Sequence, residues 1–86
     1  MKFERTERFK RQYKKLTQPH KALLYRALKL FATDPYHPSL HTKRVQGTKD
    51  IWEARASAAL RFTFHWQEDR IILRTCGLHD TVLHKP

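Results

Sequence analysis

The chain has 86 residues, is 40% hydrophobic and 12% aromatic, and carries 18 Lys+Arg against 8 Asp+Glu, a formal charge of +10. Such a length fits one core, so residues 1–86 are expected to form a single domain. The apolar content argues against disorder, and no apolar run approaches the ~20 residues of a bilayer span. The charge calls for a polyanionic partner and salt-dependent binding, with no membrane role expected.

The excess is uneven. Residues 1–33 hold ten Lys/Arg and two acids, and residues 34–86 hold eight and six. Cys76 is the only cysteine. It fits a reducing cytoplasm, where it is expected to behave as a small buried hydrophobe. Met1-Lys2-Phe3-Glu4-Arg5 lacks the apolar stretch of a signal peptide.

In chain order, residues 2–5 read as a short extended segment with Phe3 inward. From Thr6 the spacing of Phe9, Tyr13 and Leu16 predicts an amphipathic helix. Its outer surface carries Arg8, Lys10, Arg11, Lys14 and Lys15. Thr17-Gln18-Pro19 marks a break and a new helix start. Leu23, Leu24, Ala27, Leu28, Leu30 and Phe31 give that second helix a broad apolar face ending near Thr33. The short joint makes the pair a hairpin.

Asp34-Pro35-Tyr36-His37-Pro38 is turn chemistry. Beyond it the period falls to two. A short strand over 42–45, a turn at Gly47-Thr48-Lys49-Asp50, and strands over 51–56, 60–66 and 70–78 are predicted. The fold class is α+β: an N-terminal strand, then an antiparallel two-helix hairpin packed on one face of an antiparallel β-sheet.

Alternation sorts the strand residues. Leu60, Phe62, Phe64 and Trp66 point toward the helices, and Arg61, Thr63 and His65 point away. Glu53 and Arg55 share one face, opposite Trp52, Ala54 and Ala56. If the two polar faces coincide, Glu53, Arg55, Arg61, Thr63 and His65 form a partly basic floor. The plainer reading is a solvated sheet face with a Glu53–Arg55 ion pair. A metal site is not expected, because Pro38 keeps His37 and His41 off one helical face and no second Cys is present. Gly-rich phosphate loops and zinc-finger spacings are absent.

The Asp34-Pro35…His37-Pro38-Ser39-Leu40 linker, Val45-x-Gly47, Ile51-Trp52-Glu53-Ala54-Arg55, Leu60-Arg61-Phe62 and Gly77-x-His79-Asp80 occur in one order over nearly the whole chain. Together with the element order, they resemble the RelE/ParE toxin superfamily. The resemblance implies a toxin of a type II toxin–antitoxin pair with a cognate antitoxin as partner. RelE-like members cleave mRNA on the ribosome, and ParE-like members poison DNA gyrase.

By resemblance, Arg61 takes the place of the central-strand arginine that contacts the phosphate. His79 takes the place of a catalytic Arg or His in the last strand. Glu53 and Arg55 lie on the strand where other branches carry active-site residues. Two features depart from the pattern. The strand lysines of founding RelE would fall near Trp52 and Ala54, and its C-terminal aromatic is replaced by Leu83-His84-Lys85-Pro86.

Cleavage by a 2′-OH needs a base, an acid and donors for the charge-rich phosphorane. His79 suits the acid and Arg61 and Arg55 the phosphate oxygens, while Glu53 can serve as base or orient Arg55. No cofactor is required. Lys10, Arg11, Lys14, Lys15, Lys43, Arg44, His65 and Arg74 are the expected RNA contacts. Gyrase inhibition without catalysis, or an inactive RNA- or antitoxin-binding domain, are the alternatives.

Overall fold

Two threonines set where the helices begin. In the computed structural model, which describes residues 2–86, Thr6 caps α1 (Glu7–Lys15) by accepting from the Phe9 amide at 3.1 Å. The same hydroxyl donates toward the carbonyls of Leu73 and Arg74. One side chain therefore starts the helix and fastens it to the sheet. Thr17 caps α2 (Gln18–Thr33) in the same way through the His20 amide, with Pro19 in the first turn, where its missing N–H costs nothing. A 3₁₀ turn, Pro38–Leu40, follows α2.

The sheet holds β1 (Lys2–Arg5), β2 (Lys43–Arg44), β3 (Trp52–Arg55), β4 (Leu60–Gln67) and β5 (Arg70–Leu78), in the order β1-β5-β4-β3-β2. The meander from β2 to β5 is antiparallel, as the hairpin spacings predict. β1 differs: it joins the edge parallel to β5, Phe3 opposite Ile71, so the sheet is mixed. The chain leaving β1 has to enter α1 directly above Leu73 and Arg74, where Thr6 is anchored, and only a strand running with β5 delivers it there. Past Leu73, β5 has no outer neighbour, and the Gln12 side chain accepts from the Cys76 amide at 3.0 Å instead.

One sheet face carries the core. Ala54, Phe62, Phe64, Leu73 and Cys76 meet Phe9 from α1 and Leu24, Ala27 and Phe31 from α2, all buried. Phe31 sits edge-on to Phe64 and Phe62, with centroids 4.8 and 5.7 Å apart. Trp66 continues this row but stays 39% exposed at the sheet's end. No helix among the described residues is long and apolar enough to cross a membrane.

The opposite face is not left to solvent. A third helix, α3 (His79–His84), absent from the sequence expectation, lies across it. Val82 is fully buried there and packs toward Gly77 of β5. The end of the chain is tied down as well: the Pro86 carbonyl accepts from the Thr63 hydroxyl at 3.0 Å and from Arg74 Nε at 3.2 Å.

Candidate functional site

The register of β3 on β4 decides whether the two polar faces coincide. Glu53 stands opposite Thr63, and Arg55 opposite Arg61. Thr75 and Gly77 of β5 complete the row against Thr63 and Arg61. Glu53, Arg55, Arg61, Thr63 and His65 thus share one face, and the condition that alternation left open is met. Its environment differs from a solvated floor, since Glu53, Arg61, Thr63 and Thr75 are all buried. The cover is α3 with the segment leading to Pro86.

The arginines are the unusual feature. Two guanidinium side chains directly opposite each other on neighbouring strands repel. Arg61 donates to the Ser57 carbonyl at 3.0 Å, but its Nε, like that of Arg55, is buried with no partner among the described residues. Burial, then Arg55, lowers the Arg61 pKa, and Glu53 opposes the shift. The Glu53–Arg55 ion pair of the plainer reading does not form: no carboxylate of the described residues lies within 4 Å of either guanidinium. Residues two apart on a strand share a face but sit ~6.6 Å apart, and the Glu53 carboxylate acts on Arg61 only at a distance.

His79 is placed differently from the expectation. β5 ends at Leu78, and His79 opens α3. Its amide donates to the Ala59 carbonyl at 2.9 Å, which holds it beside the β3–β4 connection, two residues from Arg61. Its side chain is about half exposed, with Nδ1 3.4 Å from the Asp80 carboxylate. That contact leaves Nε2 for proton transfer.

At the other end of the face, a one-residue bulge in β5 frees Arg74 from the ladder. Its Nη1 lies 3.0 Å from His65 Nδ1. Because a guanidinium only donates, His65 accepts there and is the neutral ring protonated on Nε2. Burial and Arg74 lower the His65 pKa, with Asp50 acting against them.

The expected basic contacts divide between the two sides of the sheet. Lys43 stands opposite Glu53 on the polar face. Arg44 pairs with Trp52 and lies over its ring on the helix side, 5.7 Å from the centroid, so it does not join the floor. Lys10, Arg11, Lys14 and Lys15 are exposed on α1. Phe9 of that helix packs on the Cys76 side of the sheet, so this basic surface faces away from Arg61. Among the described residues no group of three His, Cys, Asp or Glu is placed to hold a metal ion.

No family model and no curated protein matches the sequence. Solved structures are. The toxin–antitoxin complex DinJ–YafQ of E. coli superposes with a TM-score of 0.78 at 15% identity, over 92% of each chain. The YoeB/ParE toxin of Agrobacterium tumefaciens gives 0.75 at 16% identity, over 92% of this chain and 99% of that one. The RelB–RelE antitoxin–toxin complex of Methanococcus jannaschii gives 0.74 at 14% identity over 100% of both. At these identities the likeness is one of architecture: the chain has the α+β fold of the RelE, YafQ and YoeB/ParE toxins.

Proposed function

We propose that the chain is the toxin of a type II toxin–antitoxin pair, restrained by a cognate antitoxin and acting in the cytoplasm. Its activity is metal-independent, ribosome-dependent endonucleolytic cleavage of mRNA, which inhibits translation. The observation that carries this reading is the Arg55–Arg61 pair, two opposed guanidiniums whose buried Nε atoms lack partners. Leaving such donors unsatisfied costs ~1–3 kcal/mol each, a cost that a bound oxyanion relieves. A phosphodiester supplies that oxyanion, and the cation pair binds it most strongly as charge accumulates in the phosphorane. The fold supports the antitoxin as partner, since similar structures were solved as toxin–antitoxin complexes.

In this scheme a base takes the proton of the 2′-OH, whose oxygen attacks the adjacent phosphorus. An acid then protonates the departing 5′-oxygen, leaving a 2′,3′-cyclic phosphate. Glu53, buried without a bonded partner on the Arg61 face, fits the base. His79 Nε2 fits the acid. The exposed cations of α1 serve as a docking surface for ribosomal RNA phosphates, which fix position without reading sequence.

The covering of the floor by Val82 and Pro86 favours a second reading, a ParE-like binder that inhibits DNA gyrase without catalysis. Expression of the wild type, Arg61→Ala and His79→Ala in bacteria, with mapping of mRNA 5′ ends during growth arrest, separates them. Codon-positioned cuts reduced about 100-fold or more in both variants are expected. Growth arrest with intact mRNA and DNA damage signalling would replace the nuclease with the gyrase inhibitor. No arrest and no cuts would leave an inactive RNA- or antitoxin-binding domain.

A further inference from the structure

A cavity of about 340 Å³ opens on the polar face of the sheet, lined by Thr48, Lys49, Asp50, Ile51, His65 and Arg74. Its walls come from the turn before β3, from His65 near the end of β4 and from Arg74 at the middle of β5. The turn is held in place. The Thr48 hydroxyl lies 2.7 Å from the Val45 carbonyl and 3.2 Å from that of Ile51, and the Val45 amide donates to Ile51 at 2.8 Å. Lys49 and Asp50, at the turn's outer end, form no ion pair or hydrogen bond among the described residues. Opposite them, Arg74 fixes His65 as the neutral ring with its proton on Nε2. The rim therefore offers one carboxylate acceptor, the held donors of Arg74 and His65, the exposed Lys49 ammonium, and the half-buried side chain of Ile51 as an apolar wall.

This set of groups matches a nucleobase better than a phosphate. A phosphate has no donor for Asp50 and repels it. Among the bases, guanine alone presents two adjacent donors, N1–H and the N2 amino group, that a carboxylate can accept in a fork. Its O6 and N7 accept from cations such as Lys49 and Arg74. Adenine, cytosine and uracil each lack that paired donor edge. The position fits as well. His65 lies four residues along β4 from Arg61 on the same face, about 13 Å away. A strand of RNA whose phosphate sits at Arg61 can lay an unstacked base in this cavity, the usual mode of single-strand reading.

We propose that the cavity is a guanine-reading subsite for RNA, with Asp50 as the residue that determines specificity. This rests on the reading of the Arg61 face as an RNA site and deepens it by naming the base. The test is a ¹⁵N–¹H NMR titration of the purified full chain with the 5′-monophosphates of guanosine, adenosine, cytidine and uridine. All four share the phosphate, so differences report the base. GMP is expected to shift residues 48–51, His65 and Arg74 with an affinity about fivefold above the other three. Asp50→Asn, whose spectrum elsewhere should be unchanged, is expected to remove that preference while keeping the common response near Arg61.

Equal responses to all four nucleotides, or shifts confined to Arg55 and Arg61, overturn the subsite. The two readings fail separately. GMP selectivity in a chain that leaves mRNA intact would keep the subsite and remove the nuclease. Cleavage of mRNA without GMP selectivity would do the reverse.

Discussion

Arg61 concentrates the tension between stability and binding into one side chain. It is 6% exposed, faces another arginine, and has a buried Nε without a partner among the described residues. A buried cation so poorly paired is commonly replaced by an apolar side chain at no cost. Arg61→Met is therefore expected to unfold at a temperature equal to or about 4 °C above the wild type by calorimetry, while losing mRNA cleavage. A clear fall in Tm would mean that the bond to Ser57 outweighs the unpaired charge.

His65 acts in the opposite sense to a paired histidine. Its folded pKa lies below the ordinary 6.5, first through burial and then through Arg74, so folding favours the neutral ring. Its stabilising contribution is complete above about pH 6.5 and is lost as pH falls from there through the depressed folded value. Urea melts between pH 7.5 and 5 should show this loss, and His65→Gln should flatten it. Alternation made it legible in the sequence that Glu53 and Arg55 share a face of one strand and Arg61 and His65 a face of the next, whereas only the register brought the two faces together. Sharing a face did not imply touching, and so the Glu53–Arg55 pair failed to form.

Among the elements, α3 was the least legible. Six residues of mixed character, His-Asp-Thr-Val-Leu-His, carry no period long enough to separate a helix from a strand end. Only Val82 is buried, and the helix has no side-chain cap at its start. The longer α1 and α2 announce themselves through threonine caps and recurrent apolar residues, and β3 and β4 through alternation. The direction of β1 was hidden for another reason, since a four-residue strand looks the same whichever way its neighbour runs.

Weak anchorage gives α3 a testable property. Amides 79–84 are expected to exchange hydrogen much faster than those of β4 and β5, and Val82→Ala should widen the gap. The strand just before α3 depends on Gly77, whose φ of 151° lies where side-chain-bearing residues are strained. A Cβ there meets Val82 at an ordinary 3.6 Å, so the penalty of Gly77→Ala is conformational rather than steric. About 1–2 kcal/mol of lost stability in denaturant melts is expected.

For the whole molecule, the sheet separates two kinds of positive charge. The exposed cations of α1 lie on one side, and the half-buried Arg55 with the buried Arg61 on the other. Surface cations act by displacing counterions, so replacing Lys10, Arg11, Lys14 and Lys15 with Gln should weaken RNA binding and flatten its salt dependence. The slope should fall by roughly 0.7–0.9 for each phosphate no longer neutralised, while the base preference stays the same. Arg61→Ala should act on cleavage with little change in that slope. Filter-binding across a salt series checks both.

The parallel pairing of residues 2–5 with residues 70–73 also fixes the order in which the protein can come into being. A ribosome makes β1 well before its neighbour β5, so the first strand waits, unpaired, until residues 70–73 emerge. Thr6, the anchor of α1, waits for Leu73 and Arg74 as well. A contact spanning that much sequence is slow to close and leaves no folded half-product. On a nascent chain that stops short of β5 the Arg61 face is therefore not yet assembled, and a chain with the proposed activity would be harmless until β5 has emerged.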